Sequence, residues 1–213
     1  MSRPHHLVLV TGTATEIGKT WVGGKAIAEL RGRGLVVAAR KPAQSFDPDD
    51  HHPSDAEVLS AASGEPAHQV CPPHRAYPVA MAPPMAAEVL GLAVPTTADL
   101  LAELAWPDPP VDVGWLETVG GPRSPIAVDG DAVTIARALR PEVVVVVADA
   151  GLGTVNAVAL TVDAFSGFRV EVILNRFDAA SDLHHRNVAW LVEHHGLRCA
   201  TTITQLADHI LDG

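Results

Sequence analysis

Cysteine is scarce in this sequence. The chain of 213 residues contains two cysteines, Cys71 and Cys199, which lie far apart. Two distant thiols provide neither a disulfide framework nor the closely spaced ligand pairs of a zinc site. The apolar run that follows His6 is interrupted at Gly12, so it is too short for a secretory signal. These features predict a protein of a reducing compartment, the cytoplasm.

Positive charge is also limited. The sequence has 15 lysines and arginines against 25 acidic residues, and its formal net charge is -10. The only lysines are Lys19, Lys25 and Lys41, and no basic patch is visible. Because such an excess of negative charge repels nucleic acid and anionic membrane surfaces, we expect neither as a partner. Phosphate binding must then come from a few placed cations and backbone amides.

Long hydrophobic runs are missing, although 47% of the residues are hydrophobic. The longest run, residues 143–148, is far short of the roughly 20 residues that cross a bilayer. This length and composition suit one domain with a substantial core. We therefore predict that residues 1–213 form a single α/β domain.

Valine- and leucine-rich segments alternate with alanine- and leucine-rich segments along the chain. Continuous apolar strands are typical of a parallel sheet that is covered by helices on both faces. This alternation predicts a doubly wound sheet built from βαβ units. The predicted strands are residues 7–10, 35–39, 113–116, 143–148, 170–174 and 199–203. The predicted helices are residues 20–31, 55–62, 85–90, 98–104, 133–139, 156–165, 183–195 and 205–211.

Residues 42–110 differ from the rest of the chain. They hold many of the prolines and no convincing strand. We interpret them as an insertion of loops and short helices over one end of the sheet, where such segments often contact a substrate. The alternative is a proline-rich surface connection without a functional role.

Residues 11–20 read TGTATEIGKT and follow an apolar strand. A glycine loop between a strand and a helix directs backbone N–H groups, and the positive end of the helix dipole, at one point. Gly18 lets the backbone approach a phosphate closely. Lys19 adds a charge that reaches β- and γ-phosphates, and the Thr20 hydroxyl suits Mg²⁺. The segment therefore predicts a phosphate-binding loop.

This segment departs from the usual spacing of the motif. Five residues rather than four separate Gly12 from Gly18, and Thr13 occupies the strict glycine position. An ordinary strand-to-helix turn with a threonine cap is the alternative. The helix dipole disfavours a lysine in the first turn, so the placement of Lys19 favours the phosphate-binding interpretation.

Two carboxylates and a second lysine accompany the loop. Glu117 ends the run VDVGWLE, and Lys41-Pro42 follows the second predicted strand. The carboxyl ends of parallel strands meet at the edge of the sheet where ligands bind, so both side chains are candidates for phosphate and metal chemistry. Asp55 lies in Ser54-Asp55-Ala56-Glu57, which also resembles a helix capping box. For Asp55, a capping role and a metal-binding role remain open.

Together these residues resemble the dethiobiotin synthetase family. The family's phosphate loop reads close to GTDTEVGKT, and its glutamate stands in VEGAGG. The matching segments are GTATEIGKT at residues 12–20, Lys41-Pro42 with Ser45, Ser54-Asp55-Ala56, Glu117 in LETVGG, the G-x-x-N segment that ends at Asn156, and Asn175 in ILNR. They occur in the right order over about residues 7–176, which is far more specific than the loop alone.

The resemblance implies a P-loop fold, a homodimer, and the cofactors ATP and Mg²⁺. It implies that 7,8-diaminononanoate is carbamated by CO₂, activated by the γ-phosphoryl group of ATP, and closed to the cyclic urea dethiobiotin. It implies that Lys19 and Lys41 are catalytic and that Thr20, Asp55 and Glu117 hold the metal ion. The nucleotide contacts it implies are Gly12, Thr13, Thr15, Glu16, Ile17, Gly18, Lys19, Thr20 and Asn175, the last at the adenine. The substrate contacts it implies are Thr15, Lys41, Ser45, Gly120 and, from the partner subunit, the Asn156 loop.

The sequence also departs from this family. Thr118 and Val119 replace a glycine and an alanine, which predicts a narrower amine pocket. Ala14 replaces an acidic residue, and residues 200–204 lack the family's Gly-x-Ile/Leu-Pro segment. Two alternatives follow: a P-loop ATP-dependent ligase that acts on a different carboxylated substrate, and a non-catalytic nucleotide-binding paralogue.

Overall fold

A computed structural model describes residues 3–212 of the chain. The strands within these residues are β1 (His6–Gly12), β2 (Val37–Arg40), β3 (Gln44–Ser45), β4 (Ala76–Tyr77), β5 (Val113–Glu117), β6 (Val143–Asp149), β7 (Val170–Asn175) and β8 (Arg198–Ala200). Strands β2, β5, β1, β6, β7 and β8 form one sheet in that order, and each neighbouring pair is parallel. The predicted doubly wound parallel sheet is confirmed.

Helices cover both faces of this sheet. They are α1 (Lys19–Gly32), α2 (Asp55–Ser63), α3 (Ala67–Val70), α4 (Pro83–Val89), α5 (Thr97–Glu103), α6 (Ala132–Leu139), α7 (Thr154–Ala164), α8 (Asp182–His195) and α9 (Ile203–Leu211), with a 3₁₀ turn at Pro73–Arg75. No helix within residues 3–212 has the length and apolar character needed to span a bilayer.

Residues 42–110 contain more regular structure than the sequence predicts. The expectation that they hold no strand is wrong, because β3 and β4 pair in parallel as a separate small sheet. Each of these strands has only two residues, too few to give a periodic signal. Between and after them lie α2, α3, α4 and α5, which are short helices as expected for this insertion.

The predicted last strand, residues 199–203, is partly wrong. Strand β8 ends at Ala200, and Ile203 already begins α9. The reason is a cap: the Thr202 side chain accepts a hydrogen bond from the Gln205 backbone N–H. The β-branched side chain of threonine has a preference for strands. At the N-cap position, however, its hydroxyl accepts a backbone hydrogen bond and so starts a helix.

Alternating side chains of β1 enter two cores. Leu7 and Leu9 face one layer of helices, and Val8 and Val10 face the other. All four are essentially inaccessible to water, as is the whole of residues 143–148 in β6. This burial on both faces explains why these strands are continuously apolar rather than alternating.

The order of the strands places β1 between β5 and β6. Val10 lies opposite Glu117 in the register of β1 and β5, so the loop after β1 and the residues after β5 leave the sheet side by side. The crossover connections diverge at this point, and open α/β sheets bind their ligands at such a point, beyond the carboxyl ends of the strands.

Truncation of the β1 core should be costly. Leu9 has no exposed surface, so we expect Leu9→Ala to lower the free energy of unfolding by about 2–5 kcal/mol through lost contacts and a residual cavity. Urea titration followed by circular dichroism measures this change. Leu92, which is half exposed, is the matched control, and Leu92→Ala should stay within about 0.5 kcal/mol of the wild type. Equal stability of the two variants would contradict the central position of β1.

Candidate active site

The loop between β1 and α1 takes a conformation that requires glycine. Gly18 has φ 93°, and a Cβ at this residue would lie 2.2 Å from Nδ2 of Asn175. Asn175 ends β7, and its Nδ2 donates a hydrogen bond of 2.9 Å to the carbonyl of Ile17. Only glycine suits residue 18, because it adopts a positive φ without strain and leaves room for the Asn175 side chain. The hydrogen bond from Asn175 then fixes the end of the loop. The adenine contact predicted for Asn175 stays a prediction.

Backbone hydrogen bonds fix the start of the loop to the sheet. The N–H of Thr13 donates to the Val147 carbonyl at 2.9 Å, and the N–H of Gly12 donates to the Gly120 carbonyl at 3.2 Å. A Cβ on Gly121 would lie 3.4 Å from the Gly12 carbonyl oxygen. The residues after β5 thus pack directly against the loop, and the predicted site residue Gly120 is among them.

Lys19 lies at the first position of α1 and folds back across the loop. Its side chain is largely buried, and its Nζ donates a hydrogen bond of 3.2 Å to the carbonyl of Ala14. Burial, followed by repulsion from Lys41, lowers the pKa of Lys19 to about 8. An anion placed beside this ammonium favours its charged form. Lys19 is consequently poised to respond to a phosphate group.

Thr20, Lys41, Asp55 and Glu117 form one cluster, although they lie on four different elements. The Thr20 hydroxyl is 2.6 Å from Asp55 Oδ1 and 2.8 Å from Glu117 Oε1. Lys41 Nζ is 2.6 Å from Asp55 Oδ2 and 2.8 Å from Glu117 Oε1. The structure therefore brings together the side chains that the sequence nominates for metal and phosphate chemistry.

The charges in this cluster stabilise one another. Burial disfavours the ammonium of Lys41, but the neighbouring carboxylates of Glu117 and Asp55 outweigh it and raise the pKa of Lys41 above its usual value. Burial likewise disfavours the charged Asp55, yet Lys41 and the Thr20 hydroxyl hold the pKa of Asp55 below its usual value. Both groups are charged near neutral pH, so the cluster can attract a cation and an anionic ligand.

The oxygen atoms of this cluster suit a hard divalent cation. A threonine hydroxyl and two carboxylates converge, and Glu117 Oε2 is buried without a hydrogen-bond partner among the described residues. Within residues 3–212, no group of three His, Cys, Asp or Glu side chains is arranged to hold a metal. An ion held here would complete its coordination with water or ligand oxygens, which is the habit of Mg²⁺.

A cleft of about 1440 Å³ opens in front of the cluster. The predicted substrate residues Thr15, Lys41, Ser45 and Gly120 line it, together with Lys19 and Asp55. Ser45 Oγ is buried and has no hydrogen-bond partner among the described residues. A buried hydroxyl without a partner at a cleft wall is suited to a polar group of a ligand.

Thr118 and Val119 play different parts in this cleft. Thr118 is fully buried, its hydroxyl donates a hydrogen bond of 2.8 Å to the Val10 carbonyl, and it is absent from the cleft wall. Val119 does line the cleft. The expectation that both side chains narrow the pocket is therefore wrong for Thr118, because its hydroxyl finds an acceptor on β1.

Asn156 does not reach this cleft. It lies on the exposed side of α7 and is not among the residues that line the cleft of its own chain. Its predicted contact with a substrate in the partner subunit stays a prediction.

Some residues that shape the site were not among those predicted from the sequence. Gln44 Oε1 accepts a hydrogen bond of 2.9 Å from the Ala56 N–H and so fixes the start of α2, which carries Asp55. Arg176 donates to the Glu16 carbonyl at 3.0 Å. The one sequence signal for a role of Arg176 at this loop is its position directly after Asn175. The capping box of Ser54 and Glu57 is present, so Asp55 belongs both to a capped first turn and to the cluster.

Known proteins of similar sequence share one name, as the following relatives show. The sequence profile of a family described as an AAA domain matches residues 6–209. The chain is 35% identical to the ATP-dependent dethiobiotin synthetase of Haloferax mediterranei, over 91% of this chain and 82% of the relative. It is 38% identical to that of Anaeromyxobacter dehalogenans, over 82% and 78%. It is 32% identical to that of Xanthomonas campestris, over 89% and 87%.

Solved structures show the fold. A plasmid partition protein of Borrelia burgdorferi superposes with a TM-score of 0.55 at 11% identity, over 99% of this chain and 97% of that one. Chloroplast FtsY of Physcomitrella patens superposes with a TM-score of 0.54 at 15% identity, over 99% of this chain and 66% of that one. At such identities the likeness concerns the α/β architecture alone.

Removal of the buried cation should destabilise the fold. In Lys41→Met, Glu117 stays buried without its ammonium partner, so we expect the free energy of unfolding to fall by about 3–5 kcal/mol. Urea titration at pH 7 measures this loss. Lys25→Met removes an exposed lysine of α1 and should change stability by no more than about 0.5 kcal/mol. The double variant Lys41→Met, Glu117→Gln should recover part of the loss. No difference between the two single variants would contradict the role of Lys41.

Proposed function

The chain belongs to the ATP-dependent dethiobiotin synthetase family, and from this premise we propose its reaction and the residues that perform it. The protein is an ATP-dependent ligase of biotin biosynthesis. Its reaction joins CO₂ to 7,8-diaminononanoate and closes the ring to give dethiobiotin, ADP and phosphate. The observation that carries the residue assignment is that Asp55 and Glu117 both contact Thr20, at the start of the helix that follows the phosphate loop, and both pair with Lys41.

The β1–α1 loop holds the ATP phosphates. Loop amides and the N-terminus of α1 supply hydrogen bonds and partial positive charge. Lys19, which donates to the Ala14 carbonyl in the free protein, turns its ammonium to the phosphate oxygens. The backbone from Gly12 to Thr20 and the side chain of Asn175 provide the remaining nucleotide contacts.

We propose that Thr20, Asp55 and Glu117 hold Mg²⁺. The support is the donor set: a hydroxyl and two carboxylates, which are hard oxygen ligands, converge at one place. Bound there, the ion supplies charge neutralisation for the phosphates. The protein's part is to keep the three oxygens together, which the salt bridges to Lys41 accomplish.

The amine chemistry takes place in the cleft in front of this cluster. An amine nitrogen of the substrate adds to CO₂ and loses a proton, which gives a carbamate. A carbamate oxygen attacks the γ-phosphorus, and ADP leaves. The second amine attacks the carbonyl carbon and loses a proton, and the C–O bond to phosphate breaks, so phosphate leaves with the ring closed. Lys19 and Lys41 stabilise the negative charge on the transferred and leaving oxygens.

Substrate contacts come from the walls of this cleft. Thr15, Ser45 and Gly120 lie on it beside Lys41, and the unpartnered hydroxyl of Ser45 suits a carbamate oxygen or an amine. We propose that the Asn156 loop binds the carboxylate tail from the partner subunit of a homodimer. Two observations support this assembly: Asn156 does not line the cleft of its own chain, and Leu152 and Leu160 beside it are 92% and 63% exposed. The site of action that we propose is the cytoplasm.

One observation favours an alternative function, in which the substrate is a molecule other than 7,8-diaminononanoate. Val119 stands at the cleft wall where the family has alanine, so the space beside the amines is smaller. A different carboxylated substrate of a related ATP-dependent ligase reaction is the alternative. A nucleotide switch without catalysis has no such support, because both lysines and both carboxylates are in place.

The direct test is product formation. Purified protein with Mg-ATP, bicarbonate and 7,8-diaminononanoate should yield the cyclic urea, identified by mass. Lys19→Ala should lower turnover at least about 100-fold, because one cation of the transition state is lost. Circular dichroism should show an intact fold. Absence of product from a wild type that binds ATP would refute the proposed reaction, and an active Lys19→Ala variant would refute the phosphate assignment.

ATP binding should depend on the protonation of Lys19. The pKa of Lys19 in the free protein is about 8, whereas phosphate oxygens favour its charged form. Below pH 8 the lysine is charged before binding. Above pH 8 binding must take up a proton, so the affinity should fall as the pH rises, approaching tenfold per pH unit. Calorimetry with a non-hydrolysable ATP analogue at pH 7.5–9.5, in two buffers of different ionisation enthalpy, measures both effects. In Lys19→Arg the proton uptake should vanish; its persistence would assign the proton to another group.

A further inference from the structure

Two polar atoms on β5 are buried without partners. Trp115 has no exposed surface, and its indole Nε1–H finds no acceptor among the described residues. Glu117 is also fully buried, and its Oε2 finds no donor among them. The two residues are separated by one position on a strand, so their side chains project to the same face of the sheet. Each group offers what the other lacks, since the indole only donates and the carboxylate only accepts.

Both atoms approach α1 at the same residue, Gly23. A Cβ built on Gly23 would lie 3.0 Å from Trp115 Nε1, 3.2 Å from Glu117 Oε2 and 3.0 Å from Leu59 Cδ2. Glycine is less favourable than alanine in a helix, so its presence in α1 needs a reason. The absence of a methyl group at Gly23 lets the indole N–H and the carboxylate both come close to the backbone of α1.

We propose that Trp115 is a positioning residue for Glu117: its Nε1–H is the hydrogen-bond donor to Oε2 through one bridging water molecule beside Gly23. The proposal rests on the proposed function, in which Glu117 is a ligand of the metal ion. A buried donor or acceptor without a hydrogen-bond partner destabilises the fold, so this pairing also satisfies both groups.

The contact controls the orientation of the carboxylate. Glu117 Oε1 lies beside Thr20 and Lys41, whereas Oε2 has no other partner among the described residues. A donor on Oε2 fixes the rotation of the carboxylate plane and therefore the direction of Oε1. Groups that orient a metal ligand in this way typically change metal affinity 10–100-fold when they are removed.

The test measures metal affinity directly. Mn²⁺ is titrated into the protein saturated with ADP, and free Mn²⁺ is followed by electron paramagnetic resonance. Trp115→Phe keeps an aromatic ring and removes the N–H, and it should weaken Mn²⁺ binding about 10–100-fold. Trp190→Phe, at a half-exposed tryptophan on α8, is the matched control and should leave the affinity unchanged. Gly23→Ala, which places a methyl group 3.0 Å from Trp115 Nε1 and 3.2 Å from Glu117 Oε2, should weaken Mn²⁺ binding like Trp115→Phe.

Kinetics separate positioning from a packing defect. In Trp115→Phe, the KM for the divalent ion should rise by the same factor as the dissociation constant, and saturating metal should restore kcat. A loss of kcat that excess metal does not restore, with unchanged Mn²⁺ affinity, would overturn the proposal in favour of a packing role.

Glu117→Gln distinguishes failure of this inference from failure of the metal site. If Glu117→Gln weakens Mn²⁺ binding and Trp115→Phe does not, the role of Trp115 is refuted and the metal site stands. If neither variant weakens binding, the metal assignment of Glu117 is refuted and the inference falls with it.

The wild-type protein offers a second readout should Trp115→Phe fail to fold. In ¹⁵N-tryptophan-labelled protein, the Trp115 indole proton should be shifted downfield, and its signal should move in Glu117→Gln. A Trp115 signal at the position of a free indole, indifferent to Glu117→Gln, would overturn the proposal.

Discussion

The site depends on one buried ammonium. Lys41 extends from the end of β2 to carboxylates on β5 and α2, and one of these, Glu117, is wholly removed from water. Without a cation between them, two carboxylates this close would repel each other and at least one would be driven to its neutral form. With it, the pKa of Asp55 lies below its usual value, and both side chains hold the Thr20 hydroxyl at the start of α1. One lysine thus joins the sheet, the insertion and the helix that begins at the phosphate loop.

The phosphate loop itself is held by parts of the chain that are distant in sequence. Asn175 and Arg176, at the end of β7, bind the carbonyls of Ile17 and Glu16, and the segment after β5 binds the N–H of Gly12. These contacts explain how a loop whose glycine spacing departs from the common motif keeps a defined shape. Its conformation comes from neighbouring strand ends as much as from its own glycines.

The local and periodic features of this structure could be predicted from the sequence. Continuous apolar strands predicted the parallel sheet, and Lys19 and Thr20 stand within one helical turn of the loop that they serve. The position of Glu117 followed from the end of a core strand. Contacts that depend on how elements pack did not follow: nothing in the sequence shows that Gln44 fixes α2, that the Thr118 hydroxyl binds Val10, or that Trp115 and Glu117 both approach α1 at Gly23. Strands β3 and β4 could not be predicted, because a strand of two residues is too short to show an alternating pattern of apolar and polar residues.

The bond between Lys19 and the Ala14 carbonyl has a consequence for ligand selection. In its resting form the loop already accepts one hydrogen bond from its lysine, so an incoming anion must compete with an internal partner. A small inorganic anion makes few contacts with which to displace that partner. A polyphosphate chain engages the amides of the whole loop at once and releases the lysine as part of the same event. The resting loop thereby discriminates by ligand length before any base is recognised.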